Sequence, residues 1–338
     1  MPIGIYGENN PDLRRFTPDR EATIWRYMDL GKYLDLITRK ELWFTRAIEF
    51  RKADPYEGAL TVYDQKMLEQ IVGAKTKNEL KDLFQLYGRT SLITMMEMLP
   101  NNSLAFFQAI VITGAQHSQF NPYSSLVSCW HENKGESDAM WDLYAKKNAG
   151  IAIKTTISKT VTAFRNSAHN IAVAKVAYDI DGTMSALTSG IYDSLLIKRQ
   201  AFAHENEIRL LVFSLVGYEA PGYSEDNQVY NLNVLKSVPT GLYIPCDIEQ
   251  LIDEIVVSPL IPSYAYEGVA AITKQYMPST IVRKSRLLTM ESFSLGTSAD
   301  LELILNTYIK TRRLLDVDAI RAESAEPERA GSSTSKPA

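Results

Sequence analysis

Residues 202–213 read FAHENEIRLLVF. The run 208–213 is apolar and short, the pattern of a buried strand. His204, Glu205 and Glu207 stand directly before it. Positions i and i+2 of an extended segment point to the same side, so Glu205 and Glu207 are expected to share a face. A carboxylate at the mouth of an apolar strand must be solvated, paired or protonated. The stretch therefore predicts a strand with a site at its start.

Working outward, residues 185–203 read as a helix with Ile191, Leu195, Lys198 and Phe202 on one side, and 170–178 as a strand. Further upstream, 125–130 (SLVSCW) is a strand followed by His131, Glu132 and a Lys-Gly turn. Ser137 or Asp138 caps a helix over 139–147, and 151–155 is another strand. The chain opens as strand, helix, strand: 24–28 (IWRYM), a helix capped by Asp29 and running to about Lys40, then 42–45 (LWFT). Asp54, Pro55 and Gly58 mark a turn that also carries Tyr56 and Glu57. Residues 64–117 read as a block of helices rich in Met and Leu, a helical insertion whose apolar stripe is core rather than a cofactor box. Downstream, 241–245, 254–258 and 281–283 are strands, 248–252 is a helical turn and 262–277 a helix.

These elements predict an α+β fold of mixed short strands, since no regular βαβ alternation appears. The expected organisation is a flexible N-terminal arm (1–21), one domain (22–290) with the insertion, a C-terminal helix (291–322, amphipathic over 298–316) and a disordered tail (323–338). The length of 338 residues suits one large domain or two ordinary ones, and 45% hydrophobic residues suffice for a core. The net charge of −4 argues against a generic basic nucleic-acid surface. Only Cys129 and Cys246 occur, so a reducing, cytoplasmic setting is expected. No signal peptide or membrane span is visible.

Common chemical motifs are missing. No Gly-rich dinucleotide fingerprint or P-loop occurs. The pairs His131-Glu132 and His204-Glu205 lack a second His four residues on, where Gly135 and Ile208 stand. No metal is expected, because Asp54, Glu57, Glu136 and Glu205 come from separate elements without diagnostic spacing. That weakens a reading as a metal-dependent nuclease or hydrolase. A Cys129/His131 nucleophile pair is geometrically allowed, but a lone strand cysteine is usually a small buried hydrophobe.

Five pieces, IWRYMDLGKYLDLITRKELWFTRA, DPYEG, SCWHENKGESDAMWDLYAKKNAGIAI, FAHENEIRLLVF and IEQLIDEIVVSPLIP, together resemble the mostly bacterial domain-of-unknown-function family 2971 over roughly 22–285. That family name carries no activity. A more distant likeness is to the ADP-ribosyltransferase fold: a strand bearing Arg, a helix, a second strand, a middle strand with Ser, and Glu-x-Glu leading a later strand. The middle strand departs from that fold's Ser-Thr-Ser run, and the long helical block separates it from the first strand.

This second resemblance implies NAD as co-substrate. It implies Arg26 on the phosphates or ribose, Ser128 ordering the site, Glu207 against the nicotinamide ribose, and Glu205 activating an acceptor. Tyr27, Tyr56 or Trp141 would offer a stacking face. The implied activity is ADP-ribosyl transfer to a protein or nucleic-acid acceptor, or NAD cleavage, in a toxin or phage-defence effector. The alternative is a non-enzymatic nucleotide- or protein-binding domain. Residue by residue, plainer roles stand beside these. Glu207 could pair only with Arg209, Arg26 with Glu57 or a surface acid, and His131 and His204 could be hydrogen-bonded bystanders.

Overall fold

The computed structural model describes residues 3–98, 104–145, 149–187, 192–214, 223–224, 229–230, 239–288 and 301–306. In chain order the strands are β1 (Ile3–Ile5), β2 (Thr23–Asp29), β3 (Glu41–Arg46), β4 (Ser125–Glu132), β5 (Gly150–Thr156), β6 (Ile171–Lys175), β7 (Ala177–Asp179), β8 (Ile197–Arg199) and β9 (Glu207–Phe213). Then follow the two-residue strands β10 (Tyr223–Ser224) and β11 (Val229–Tyr230), and β12 (Gly241–Pro245), β13 (Glu254–Val257) and β14 (Ile281–Lys284). The fold is α+β, as the sequence predicts.

Ten strands form one mixed sheet in the order β1-β6-β9-β4-β2-β5-β13-β14, with β3 bridging β4 and β12. The apolar run at 208–213 lies deep in this sheet. Strand β9 pairs antiparallel with β4 along seven residues and with β6 along five. Its residues alternate as a pleated strand must. Ile208, Leu210 and Val212 enter the largest apolar core, while Leu211 enters a second core on the other face.

The sheet forks beside β4. Strand β2 touches β4 only through Ile24 opposite Glu132 and Trp25 opposite His131. Strand β3 touches it only at the far end, Thr45 opposite Val127 and Arg46 opposite Leu126. Residues 128–130 thus have no strand partner on that edge among the described residues. Two stronger pairings pull the prongs apart: β2 is zipped to β5 over seven residues and β3 to β12 over five. Helix α1 (Leu30–Arg39) spans the fork, capped by the Asp29 carboxylate accepting from the Lys32 N–H at 2.8 Å. Tyr33, Leu36 and Ile37 hold α1 against the main core.

The helical block is α2 (Val62–Gly73), α3 (Lys77–Leu86), α4 (Thr90–Met98) and α5 (Leu104–Ser124). Met67, Ile71, Leu80, Phe84, Met96 and Phe107 give it a core of its own, so its Met-rich stripe is core. A short helix α6 (Asp138–Met140) runs into a single π turn, Trp141–Ala145, where an ordinary helix is expected from the sequence. Of the remaining helices, α7 (Ile157–Ala163) packs on β5 and on α8 (Ile248–Leu251), and α9 (Ser263–Tyr276) packs on β14 and α1.

Two expectations are corrected. The N-terminal arm is held rather than loose: β1 pairs parallel with β6, and Phe16 is fully buried. The Pro, Gly and Asn of that segment mask four anchors, Ile3, Ile5, Leu13 and Phe16, all buried. The helix expected over 185–203 is not formed in its described part. It is replaced by a 3-10 turn (Asp193–Leu195), strand β8 and a second 3-10 turn (Gln200–Glu205). Pairing of β8 with β7, a contact between distant segments, overrides the local periodicity.

Residues up to Leu287 pack as one unit. In the unit beyond it, residues 301–306 are helical. The rest of the expected C-terminal helix and the tail lie outside the described residues. Among the described residues, no helix is long and apolar enough to cross a membrane.

Candidate functional site

A cavity of about 590 Å³ occupies the fork, within the ~300–1,000 Å³ usual for small-molecule sites. Strand alternation puts Ile24, Arg26 and Met28 on the α1 face of β2, and Trp25 and Tyr27 on the other. Arg26 and Tyr27 nonetheless both line the cavity, as do Trp130 and His131 of β4. Neighbouring residues of one strand can share a cavity here because the sheet is open between β2 and β4.

Arg26 sits at the neck. Its guanidinium donates to Ser128 Oγ and, at 3.5 Å, to the Trp43 carbonyl, and lies 5.8 Å from the Trp130 ring. No carboxylate pairs with it among the described residues, and burial lowers its pKa. Ser128 is fully buried and positions Arg26 without itself lining the cavity. Arg26 does not pair with Glu57, which is engaged elsewhere.

Across the fork lies a buried charge network. Arg209 is its centre: Nε donates to Glu207 Oε1 at 2.9 Å and Nη2 to Glu207 Oε2 at 3.0 Å. Its Nη1 donates to Glu57 Oε1 and to the Leu195 carbonyl, each at 2.5 Å. Glu57 arrives there on the 54–58 turn. Gly58 adopts φ +62°, and a Cβ there would stand 2.5 Å from Pro122 Cγ and 2.8 Å from Leu195 Cδ2, so the turn seats against α5 only with glycine.

Lys198, from β8, bridges the two acids of the opening motif, donating to Glu205 Oε2 at 2.5 Å and to Glu207 Oε2 at 3.2 Å. Tyr144, from the π turn, donates to Glu205 Oε1 at 2.9 Å. Burial, and then the charge on Glu205, raise the Tyr144 pKa and keep the phenol protonated. Burial would lower the Lys198 pKa, but Glu207 outweighs it and the net shift is upward.

The two acids therefore differ. Glu207 meets three N–H donors, with the Cys129 thiol also against it. A carboxylate has about four acceptor sites, so Glu207 is nearly saturated. Burial would raise its pKa, but Arg209 and Lys198 pull it to about 2. Its contribution to stability is therefore fully present above the ordinary value of 4.5 and lost as pH falls toward 2. Acid unfolding followed by circular dichroism should show a stability loss of roughly 3 kcal/mol across that window, largely absent in Glu207→Gln.

Both acids line the cavity, but Glu205, held by Tyr144 and Lys198, keeps unused acceptor capacity. It does not lie on one extended segment with Glu207. Asn206 is left-handed at φ 35°, turning the chain from the 3-10 helix into β9. The two carboxylates meet through Lys198 rather than through strand alternation.

Of the other expected site residues, Tyr27 lines the cavity, its hydroxyl accepting from the Ser137 N–H at 2.9 Å. Trp141 does not: it is fully buried, edge-on to Tyr27 at 5.0 Å, with Nε1 on Glu136. Tyr56 is 62% exposed outside the cavity, where Arg199 stacks on it at 4.8 Å. Besides Tyr27, the aromatic side chains on the cavity are Trp25, Trp43, Phe50, Trp130, Tyr144, Phe202 and Tyr243. His204 is exposed and bonded to the Ala201 carbonyl. Cys129 is held as a thiol by burial and by the neighbouring Glu207, which removes its case as a nucleophile.

Lys198 and Tyr144 carry weight in the site that sequence spacing does not reveal. A signal exists for the first: a lysine on an apolar helical face needs an acid. No group of three or more His, Cys, Asp and Glu side chains among the described residues could hold a metal ion. Family models, curated proteins and solved structures yield no match to the chain.

Proposed function

We propose that the fork cavity binds NAD and cleaves its nicotinamide–ribose bond, transferring ADP-ribose to an acceptor or to water. The observation that carries this is Arg26, a cation without a carboxylate partner among the described residues, facing a cavity whose far wall holds Glu205. A half-buried guanidinium with no carboxylate partner among the described residues calls for an anion, and its planar fork suits a pyrophosphate. Trp43 and Trp130 offer rings for stacking. The chain order of Arg26 on β2, Ser128 on β4 and the acids leading β9 supports an ADP-ribosyltransferase-like core.

The step would run through an oxocarbenium-like state, as in glycoside hydrolysis. The C1′–N bond breaks and its electron pair passes to the nicotinamide nitrogen. The acceptor's nucleophile bonds C1′ and its proton goes to Glu205. Glu207 stays anionic and fixes Arg209 and Lys198, so that Lys198 and Tyr144 aim Glu205. Titration of NAD into wild type and Arg26→Gln tests the binding half. Arg26→Gln should bind at least about tenfold more weakly with only a small drop in melting temperature, because hydrogen bonds but no ion pair are broken.

A second reading, a nucleotide-binding domain without catalysis, draws on the same network: each acid already has a cation. It predicts NAD binding without nicotinamide release.

A further inference from the structure

Two buried polar atoms on cavity-lining residues have no hydrogen-bond partner among the described residues: Trp130 Nε1 and His131 Nε2. Such groups are rare in folded proteins and each calls for an explanation. The residues are consecutive on β4, so they stand on opposite faces of the sheet. Trp130 is on the Arg26 face. His131 is on the other, its Nδ1 2.5 Å from the Glu205 carbonyl oxygen and its ring 6.4 Å from Tyr27. A carbonyl can only accept, so Nδ1 carries the proton. In the neutral ring Nε2 is then left with a lone pair.

An unmet donor beside a cation matches an anionic oxygen. An unmet acceptor beside Glu205 matches a hydroxyl. We infer that these two atoms are ligand contacts, and that the ligand is a sugar phosphate threaded through the fork. Its phosphate takes the Trp130 N–H together with Arg26, and a sugar hydroxyl donates to His131 Nε2. This rests on the proposed nucleotide site and adds the direction in which the ligand lies. It also gives the open sheet a purpose, since only there can adjacent strand residues read both ends of one molecule. Without ligand the two groups are a standing cost to the fold, and the ligand supplies their missing partners.

The test titrates ADP-ribose, which carries phosphates and ribose hydroxyls but no nicotinamide, into wild type, Trp130→Phe, His131→Asn and His131→Gln. Thermal melts without ligand run alongside. Phe keeps an aromatic ring, though a smaller one, and removes the donor. Asn keeps an amide where Nδ1 stands, for the Glu205 carbonyl, and removes Nε2; Gln can return an acceptor near it. Trp130→Phe and His131→Asn should bind roughly tenfold more weakly or worse. The ligand-free melts report the packing lost when the buried indole gives way to the smaller phenyl ring, so that affinity is compared at matched folded concentration, and His131→Gln should recover part of the affinity. Wild-type affinity in Trp130→Phe and His131→Asn would overturn this inference and leave NAD cleavage standing. Failure of wild type itself to bind ADP-ribose would overturn the nucleotide reading and this inference together.

Discussion

Arg209→Met is expected to destabilise the protein by about 3–5 kcal/mol, enough to leave much of it unfolded at 37 °C. The Arg209 side chain is about 1% exposed and serves two carboxylates and a carbonyl. Removing it strands Glu57 and Glu207, both buried, without a guanidinium. Most of the loss comes from these unpaired charges rather than from the deleted bonds. The double variant Glu57→Gln/Arg209→Met should therefore be less destabilised than the sum of its single variants. Urea unfolding of the four proteins measures the coupling, and strict additivity would contradict a single network. Lys198 would partly shield Glu207 in Arg209→Met but not Glu57, since its ion pairs among the described residues are with Glu205 and Glu207.

Glu205→Gln is expected to fold normally and to lose NAD cleavage by ~10²–10⁴-fold, the usual weight of a positioned general base. Glutamine fills the same space and can still accept from Tyr144, so the wall of the cavity survives. It cannot take the acceptor's proton. Glu207→Gln gives the opposite signature. Its effect on stability is large, because Arg209 loses its bidentate partner. Its effect on turnover is smaller and follows from loosened Lys198. Measuring unfolding midpoint and nicotinamide release on both variants separates the roles. Were Glu207→Gln the inactive, stable protein and Glu205→Gln the active one, the assignment drawn from acceptor saturation would be wrong.

The strands were legible where the apolar run was its own evidence: 24–28, 125–130 and 208–213 all lie within observed strands. Arg26 and Ser128 were expected in one site, and the guanidinium does meet the serine. What local sequence does not hold is the partner of each segment. Residues 195, 198 and 202 keep helical spacing, yet β8 finds β7 and places Lys198 between two acids. Trp141 and Tyr144 share an expected helix face, but a π turn sends Trp141 into the core and Tyr144 to Glu205, 61 residues away in sequence. The fork itself has no local signature. It arises because β2 and β3 each pair more extensively with β5 and β12 than with β4, a comparison available only once the sheet is assembled.

Breakage of the nicotinamide–ribose bond in this cavity is the step the proposed function depends on. Incubating the full chain with NAD, with cell lysate supplied as acceptor, and following free nicotinamide tests it most directly. Wild type should release nicotinamide, and Glu205→Gln should lose at least ~100-fold of that release at matched folded concentration. Equal release, or none, from both proteins while NAD binding is intact would contradict it.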